Sequence, residues 1–290
     1  MIIKNHSDFT KFFSPAKVNL FLKVINKRPD GYHNIQSLFT FIDLNDEIFV
    51  EIRESKNETQ EIKVDNPLSG CREQDDLIYK ACQQILPGHL SISIKVKKNI
   101  PQGGGLGGGS SNAATTLIAI NQLCKLGLSF NELADIGLKI GADVPFFIHN
   151  SSAFVEGVGE KITKVNITPL QILLCYPQTN ISTKQIFSAF KLTNKSKELK
   201  ITAPCNYEQL IHTQGNDLEP YVLLHNDKIK QLYSYLNQYG NARITGTGSC
   251  CFLILNDDHQ NDEIIKNMPS NVDYYFVSTL NHNKAYNRSI

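Results

Sequence analysis

Residues 100–112 read Ile-Pro-Gln-Gly-Gly-Gly-Leu-Gly-Gly-Gly-Ser-Ser-Asn, with six glycines in the seven positions from Gly103 to Gly109. The run lies between two segments of different period. Before it, residues 90–98 (LSISIKVKK) alternate apolar and polar side chains, the pattern of a strand with one buried face. After it, residues 113–126 present Ala114, Leu117, Ile118 and the stretch Ile120 to Leu123 as the apolar side of a helix. A strand, a glycine loop and a helix in that order make an anion cradle. The bare main chain lets N–H groups converge, and the helix N-terminus adds unpaired donors and a favourable dipole. A flexible loop or a tight helix–sheet contact is the alternative reading.

Two known phosphate loops share this geometry, and neither fits. Gly103 to Gly108 satisfies GxGxxG, but glycine density alone nearly guarantees the match. A dinucleotide fold also needs a strand after the helix with an acidic residue about 20 positions on, and here that position falls near Glu132, in a second helix opened by the capping box Ser129-Phe130-Asn131-Glu132. Gly104 to Gly109 has the spacing of a P-loop, but Ser110 and Ser111 follow where a lysine is required.

Working outward, Val18 to Val24, Ile35 to Phe41 and Glu47 to Ile52 read as strands rich in β-branched and aromatic residues. The pattern breaks at Gly157-Val158-Gly159, which divides the chain into residues 1–158 and 159–290. In the second part a strand is expected at Gln171 to Tyr176. Helices are expected at Lys184 to Phe190 and Leu218 to Tyr239, a polar loop at Lys191 to Lys200, and a second glycine turn at Ile244-Thr245-Gly246-Thr247-Gly248-Ser249.

With 290 residues, 41% hydrophobic and 20% charged, the chain can bury one large core or two moderate ones. Its 29 Lys and Arg against 28 Asp and Glu leave a net charge of +1, so no global field attracts nucleic acid or an anionic membrane, and an anionic partner must be held locally. The seven cysteines (71, 82, 124, 175, 205, 250 and 251) form no CxxC pair, which argues against a disulfide framework or a zinc site and for a reducing compartment. The opening MIIKNHSDF has no signal-peptide core, so a cytoplasmic location is expected.

The motif PQGGGLGGGSSNAA resembles the central ATP-binding motif of the GHMP kinases, and two further blocks agree with it: Ser14 to Leu20 (SPAKVNL) and Ile244 to Ser249 (ITGTGS). Within that superfamily SPAKVNLFL, RPDGYHNIQSLF, LGADVPFF and GNDLEP, in order between Ser14 and Phe252, are similar to the branch that acts on cytidine-diphosphate sugar alcohols. The resemblance implies a two-domain α+β fold, with a ribosomal-protein-S5-like first domain, a ferredoxin-like α/β sandwich second domain, and the active site in the cleft between them. It implies a phosphotransferase that moves the γ-phosphoryl group of ATP, with Mg²⁺, to the 2-hydroxyl of that alcohol in the methylerythritol phosphate route to isoprenoids, or else another small-molecule kinase of the superfamily. Its partner is a small molecule rather than nucleic acid or membrane, and its state a monomer or weak homodimer.

Carried onto this chain, the resemblance assigns the nucleotide to Pro101, Gln102, Gly103, Gly104, Gly105, Leu106, Gly107, Gly108, Gly109, Ser110 and Ser111. It makes Asp143 the carboxylate that takes the acceptor's proton, with Lys17 holding it ionised. Asn19, two residues along the same strand, shares the face of Lys17 and is assigned to the substrate. On pattern alone Lys17 reads equally as a lysine snorkelling from a strand end, and Asp143 as a helix cap. Tyr32 and His33 are expected at the cytosine, with Phe187 on its other side and Thr183 nearby. Without the resemblance Phe187 reads as a core residue. The metal's ligands are not assigned. One departure stands out: Asp75-Asp76-Leu77 replaces the family's Asp-Asn-Leu, which removes an amide from the expected adenosine contact.

Two other classes compete. A dinucleotide oxidoreductase would require a strand directly after Leu126. An RNA-binding module would use the basic run Lys95 to Lys98, which reads more simply as a solvated strand face, and the chain lacks an interleaved aromatic and basic surface.

Overall fold

The computed structural model describes residues 9–55, 59–66, 72–190, 198–199, 206–255 and 261–283. The expected loop at Lys191 to Lys200, apart from Glu198 and Leu199, and Cys71 and Cys205 lie outside the described residues.

Two long strands dominate the first half: β1 (Thr10–Lys27) and β2 (His33–Glu54), paired antiparallel. The two strands expected at Ile35 to Phe41 and Glu47 to Ile52 are one, because the polar stretch between them is satisfied in place. Asp46 is fully buried, its Oδ1 accepts the N–H groups of Asn99 (2.8 Å) and Ile100 (2.9 Å), and Lys98 donates to its Oδ2. A buried carboxylate with that many donors needs no turn to reach water. β1 is buried on both faces from Ser14 to Leu22, which explains why its sequence does not alternate there.

The chain continues through β3 (Glu61–Asp65), α1 (Leu77–Ile85), β4 (Leu90–Lys97), α2 (Gly108–Leu123), α3 (Phe130–Ile140), α4 (Val144–His149), β5 (Ala153–Gly157) and β6 (Lys161–Lys164). Helix α2 starts five residues before the expected Ala113, since Gly107, at φ +70°, stands at its N-cap and the last glycines form its first turn. α3 keeps its capping box, with Ser129 Oγ accepting from Glu132 N–H at 3.3 Å and Glu132 Oε2 accepting from Ser129 N–H at 2.8 Å. No strand follows α2 directly, so the dinucleotide fold is absent.

The second half comprises β7 (Gln171–Tyr176), α5 (Thr183–Ala189), α6 (Tyr207–Thr213), α7 (Glu219–His225), α8 (Asp227–Leu236), β8 (Arg243–Ile244), β9 (Cys251–Leu255), α9 (Asn261–Lys266) and β10 (Asp273–Leu280). The expected helix from Leu218 to Tyr239 is two, broken at Asn226. Its backbone is extended there and its side-chain oxygen caps Ile229 N–H at 3.1 Å.

Strands run β3-β4-β2-β10-β7-β9-β8, with β1 and β5 also on β2 and β6 on β5. β6 therefore extends the first half's sheet to Lys164, past the break read at residue 158. β10 joins the halves, pairing with β7 along its length and with β2 at Thr279 and Leu280. One core cluster joins Ala16, Val18, Leu20 and Leu38 of the first half to Ile172, Leu174, Phe252 and Val277 of the second. The expected α+β architecture in two parts is the one observed.

Candidate active site

The glycine run splits by function. Gly103, Gly104 and Gly105 face the second half so closely that a Cβ at these positions would lie 2.3 Å from Asn180 Oδ1, 2.6 Å from Cys250 Sγ and 2.3 Å from the Thr245 carbonyl oxygen, respectively. Main-chain bonds fix that seam: Ser249 N–H to Gly103 C=O (3.0 Å) and Cys250 N–H to Gly104 C=O (3.1 Å). Gly107, Gly108 and Gly109 instead open α2, presenting the unpaired N–H groups of a helix start. Of the two serines, Ser110 is half-buried and its Oγ faces Gly141. Ser111 is fully buried, its Oγ accepting from Ser14 Oγ at 2.8 Å, so it braces the loop from behind. Pro101 and Gln102 are half-buried at the loop's entry, and Leu106 is buried, its carbonyl accepting from Lys17 N–H at 3.0 Å.

That last bond brings β1 to the loop. Lys17 is 4% exposed, and its ammonium lies 2.6 Å from Asn19 Oδ1, 3.7 Å from Asp143 Oδ2 and 4.7 Å above the Phe39 ring. Burial pushes its pKa down from the ordinary lysine value, and the Asp143 charge opposes that shift. Asp143 stands before α4 but makes no capping bond, and its side chain is one-third exposed. It is free to meet a substrate. Lys17, Asn19 and Asp143 are thus brought together at the N-terminal end of α2, with Gly107 beside the Lys17 stem.

The turn Ile244–Ser249 closes the site from the second half. Thr245 Oγ accepts from Asn19 N–H (3.0 Å) and lies 3.3 Å from Asn19 Oδ1. Behind it, the GNDLEP segment is a clip. Asn216 Nδ2 donates to the Ile244 (2.8 Å) and Gly246 (2.7 Å) carbonyls, Leu22 N–H donates to Gly215 C=O, and Asp217 N–H donates to Leu22 C=O.

Beside this, Asp30 accepts from Tyr32 N–H (3.1 Å) in a tight turn with Gly31 at φ +89°, leaving Tyr32 65% exposed. His33 is buried and stacks on Phe187 with ring centroids 5.1 Å apart. Burial lowers the His33 pKa, helped by Lys27. The structure thus pairs Phe187 with His33, leaving Tyr32 outside that stack at the turn. Thr183, the first residue of α5, shares a hydrogen bond with Thr247 of the glycine turn at 2.9 Å. Asp76 caps α1, accepting from Ile78 N–H (2.7 Å) and Asn66 Nδ2 (2.7 Å), so its carboxylate has a structural use where the family carries an amide.

Sequence reasoning missed Ser37, Phe39, Asn216 and Thr245. All four sit within quoted motifs, Ser37 and Phe39 at the end of RPDGYHNIQSLF, but nothing in that stretch sets them apart from an ordinary serine and phenylalanine of a buried strand. Among the described residues no three His, Cys, Asp or Glu side chains gather as a metal cage, and no helix is long and apolar enough to cross a membrane.

Comparison with known proteins agrees with this geometry. Residues 76–151 match the model for the GHMP kinases N terminal domain, and residues 206–273 that for the GHMP kinases C terminal. The 4-diphosphocytidyl-2-C-methyl-D-erythritol kinase of Marinobacter nauticus is 39% identical over 95% of this chain and 96% of its own length, and that of Acinetobacter baumannii 40% over 92% and 94%. A crystal structure of 4-(cytidine 5'-diphospho)-2C-methyl-D-erythritol kinase superposes with a TM-score of 0.75 at 24% identity, covering 93% of this chain and 99% of its own. The Methanococcus jannaschii mevalonate kinase superposes with a TM-score of 0.67 at 16% identity, covering 95% and 100%. On motifs, fold and full-length similarity together, the chain belongs to the 4-diphosphocytidyl-2-C-methyl-D-erythritol kinases of the GHMP kinase family.

Proposed function

We propose that this kinase, working in the cytoplasm, moves the γ-phosphoryl group of ATP to the 2-hydroxyl of 4-diphosphocytidyl-2-C-methyl-D-erythritol, with Asp143 and Lys17 at the reacting atoms. The observation that carries it is the buried Lys17 ammonium 3.7 Å from the Asp143 carboxylate, next to the first turn of α2. Phosphoryl transfer asks for positioning and charge neutralisation more than for covalent chemistry by the protein. The donors of Gly107 to Gly109 face an anion, Asp143 accepts the hydroxyl proton as the P–O bond forms, and Lys17 neutralises charge between carboxylate and phosphate. Tyr32, His33 and Phe187 form the aromatic corner that receives the base, with Thr183 beside it.

Mg²⁺ fits as an ion carried by the nucleotide. It keeps several waters and takes one or two protein oxygens, and Ser110, whose Oγ lies open at the first turn of α2 facing Gly141, is the side chain that would supply one. When bound, the ion neutralises phosphate charge.

A coupled ADP-release assay offering the cytidyl alcohol beside mevalonate, homoserine and galactose tests the substrate. Turnover of the cytidyl alcohol alone is expected, and turnover of one of the others instead would refute it. Asp143→Asn should lower kcat by roughly 10²–10⁴-fold with substrate binding retained.

A further inference from the structure

Strand β1 carries an irregularity between Asn19 and Phe21: Asn19 pairs with Phe39 and Phe21 with Leu38, so one extra residue sits opposite β2. Such a bulge takes main-chain carbonyls out of the ladder, and two here find side chains. Arg243 Nη1 donates to Leu20 C=O at 2.7 Å, and Ser37 Oγ donates to Phe21 C=O at 2.5 Å. Ser37, fully buried, has a single hydroxyl proton, and that bond uses it. Towards Asn19, 3.0 Å away, Ser37 can then only accept. The Asn19 amide must place its NH₂ on Ser37 and its oxygen on the other side, where the Lys17 ammonium, a pure donor, lies 2.6 Å away.

Resting on the kinase reading above, we propose that Ser37 is a positioning residue for phosphoryl transfer: its hydroxyl, anchored on the bulge carbonyl of Phe21, locks the Asn19 amide so that its oxygen holds the Lys17 ammonium against Asp143. Without that lock the amide oxygen keeps, besides Lys17, only the long bond from Thr245 Oγ at 3.3 Å, whose proton can go instead to the Gly105 carbonyl at 3.4 Å, and the amide can turn its NH₂ towards Lys17, setting donor against cation. The groups around the ammonium are Asn19 on its own strand, Phe39 of β2, Gly107 at the start of α2, Asp143 ahead of α4 and Gly246 of the glycine turn. Of these only Asp143 is titratable.

Two substitutions matched in shape make the test, Ser37→Thr and Ser37→Val, since they differ in a hydroxyl against a methyl. The full-length variants are compared by ¹³C-lysine NMR titration and by steady-state kinetics on ATP and the cytidyl alcohol. The proposal expects the Val variant to titrate Lys17 roughly one to two pH units lower, the size of one hydrogen bond to a charged group. It expects kcat to fall about tenfold with both KM values within twofold, and the Thr variant to behave as wild type. Val and Thr variants alike in titration and kcat, or a Val variant that changes KM instead of kcat, would overturn it. If the Val variant does not fold, Ser37→Ala, which removes the hydroxyl without added bulk, is measured in its place against the same expectations. The lysine titration needs no turnover. Inactive wild-type protein would therefore strike the kinase reading, and an unmoved Lys17 would strike the role of Ser37.

Discussion

Lys17→Met removes a buried ammonium from a site otherwise lined by Phe39, Gly107 and Asn19. At 3.7 Å its attraction to Asp143 is about 4–5 kcal/mol at an effective dielectric near 20. Taking an ammonium out of water costs several kcal/mol. Burial is the largest influence on the ammonium and lowers its pKa, so the folded state disfavours the charge despite Asp143. The unfolded chain then binds this proton more readily than the folded one between the lowered pKa and about 10.4, and wild-type stability rises with pH through that window. Methionine fills the same space, keeps a contact with the Phe39 ring and carries no charge, while the one-third exposed Asp143 regains water. The variant should be more stable than wild type at neutral pH by about 1–3 kcal/mol, several degrees in Tm, with the gap closing as pH approaches 10. Its kcat should meanwhile fall by orders of magnitude. Calorimetry between pH 7 and 10, alongside the coupled assay, measures both. A Met variant that melts at or below wild type would show that the ion pair and the ring outweigh burial, and the reasoning would fail.

Four further outcomes follow from the geometry. Gly107→Ala forces a side chain onto φ +70° with its Cβ 2.8 Å from Phe147 and 3.2 Å from the Lys17 stem, so it should cost roughly 1–3 kcal/mol of stability and also reduce kcat. Gly108→Ala, with a nearest neighbour at 3.3 Å, should keep the fold and weaken nucleotide binding in calorimetry. Burial pushes the Glu219 carboxyl up to about 7, so the folded chain holds this proton more tightly than the unfolded one. Stability should fall from about pH 4.5 to 7 in wild type, and Glu219→Gln should remove on the order of 3 kcal/mol of that fall in thermal melts. Phe187→Ala, which leaves His33 without its stacking partner, should raise KM for the cytidyl alcohol and spare that for ATP, whereas equal effects on both would mean a different acceptor site.

The strand before the glycine run, the helix after it and the capping box at Ser129 were legible because each is written in neighbouring residues. Lys17 stood out as a charge on an apolar strand. What did not show is whatever depends on partners distant in sequence. The polar stretch Asp43 to Asp46 reads as a gap between two strands until Lys98, Asn99 and Ile100 arrive to satisfy Asp46. The first three glycines look like more phosphate loop, but their neighbours Asn180, Thr245 and Cys250 lie far along the chain and make them a close-packed seam. Ser37, though inside the quoted motif RPDGYHNIQSLF, showed no role because a serine gains meaning only from what its one proton is given to. Tyr32 and Phe187 were expected across one base, and the fold instead rests Phe187 on His33.

The clip formed by Gly215 to Asp217 bears on how molecules enter and leave. Leu22 exchanges main-chain bonds with Gly215 and Asp217, β10 is laced to both β2 and β7, and Ser249 and Cys250 are tied to Gly103 and Gly104. A jaw-like opening of the two halves would sever all three sets at once, against a shared apolar core. Traffic must pass with the halves shut. Small excursions at the exposed rim, around Tyr32 and the start of α5 at Thr183, are left to admit the alcohol and discharge its phosphorylated form, and the two halves should melt as one body.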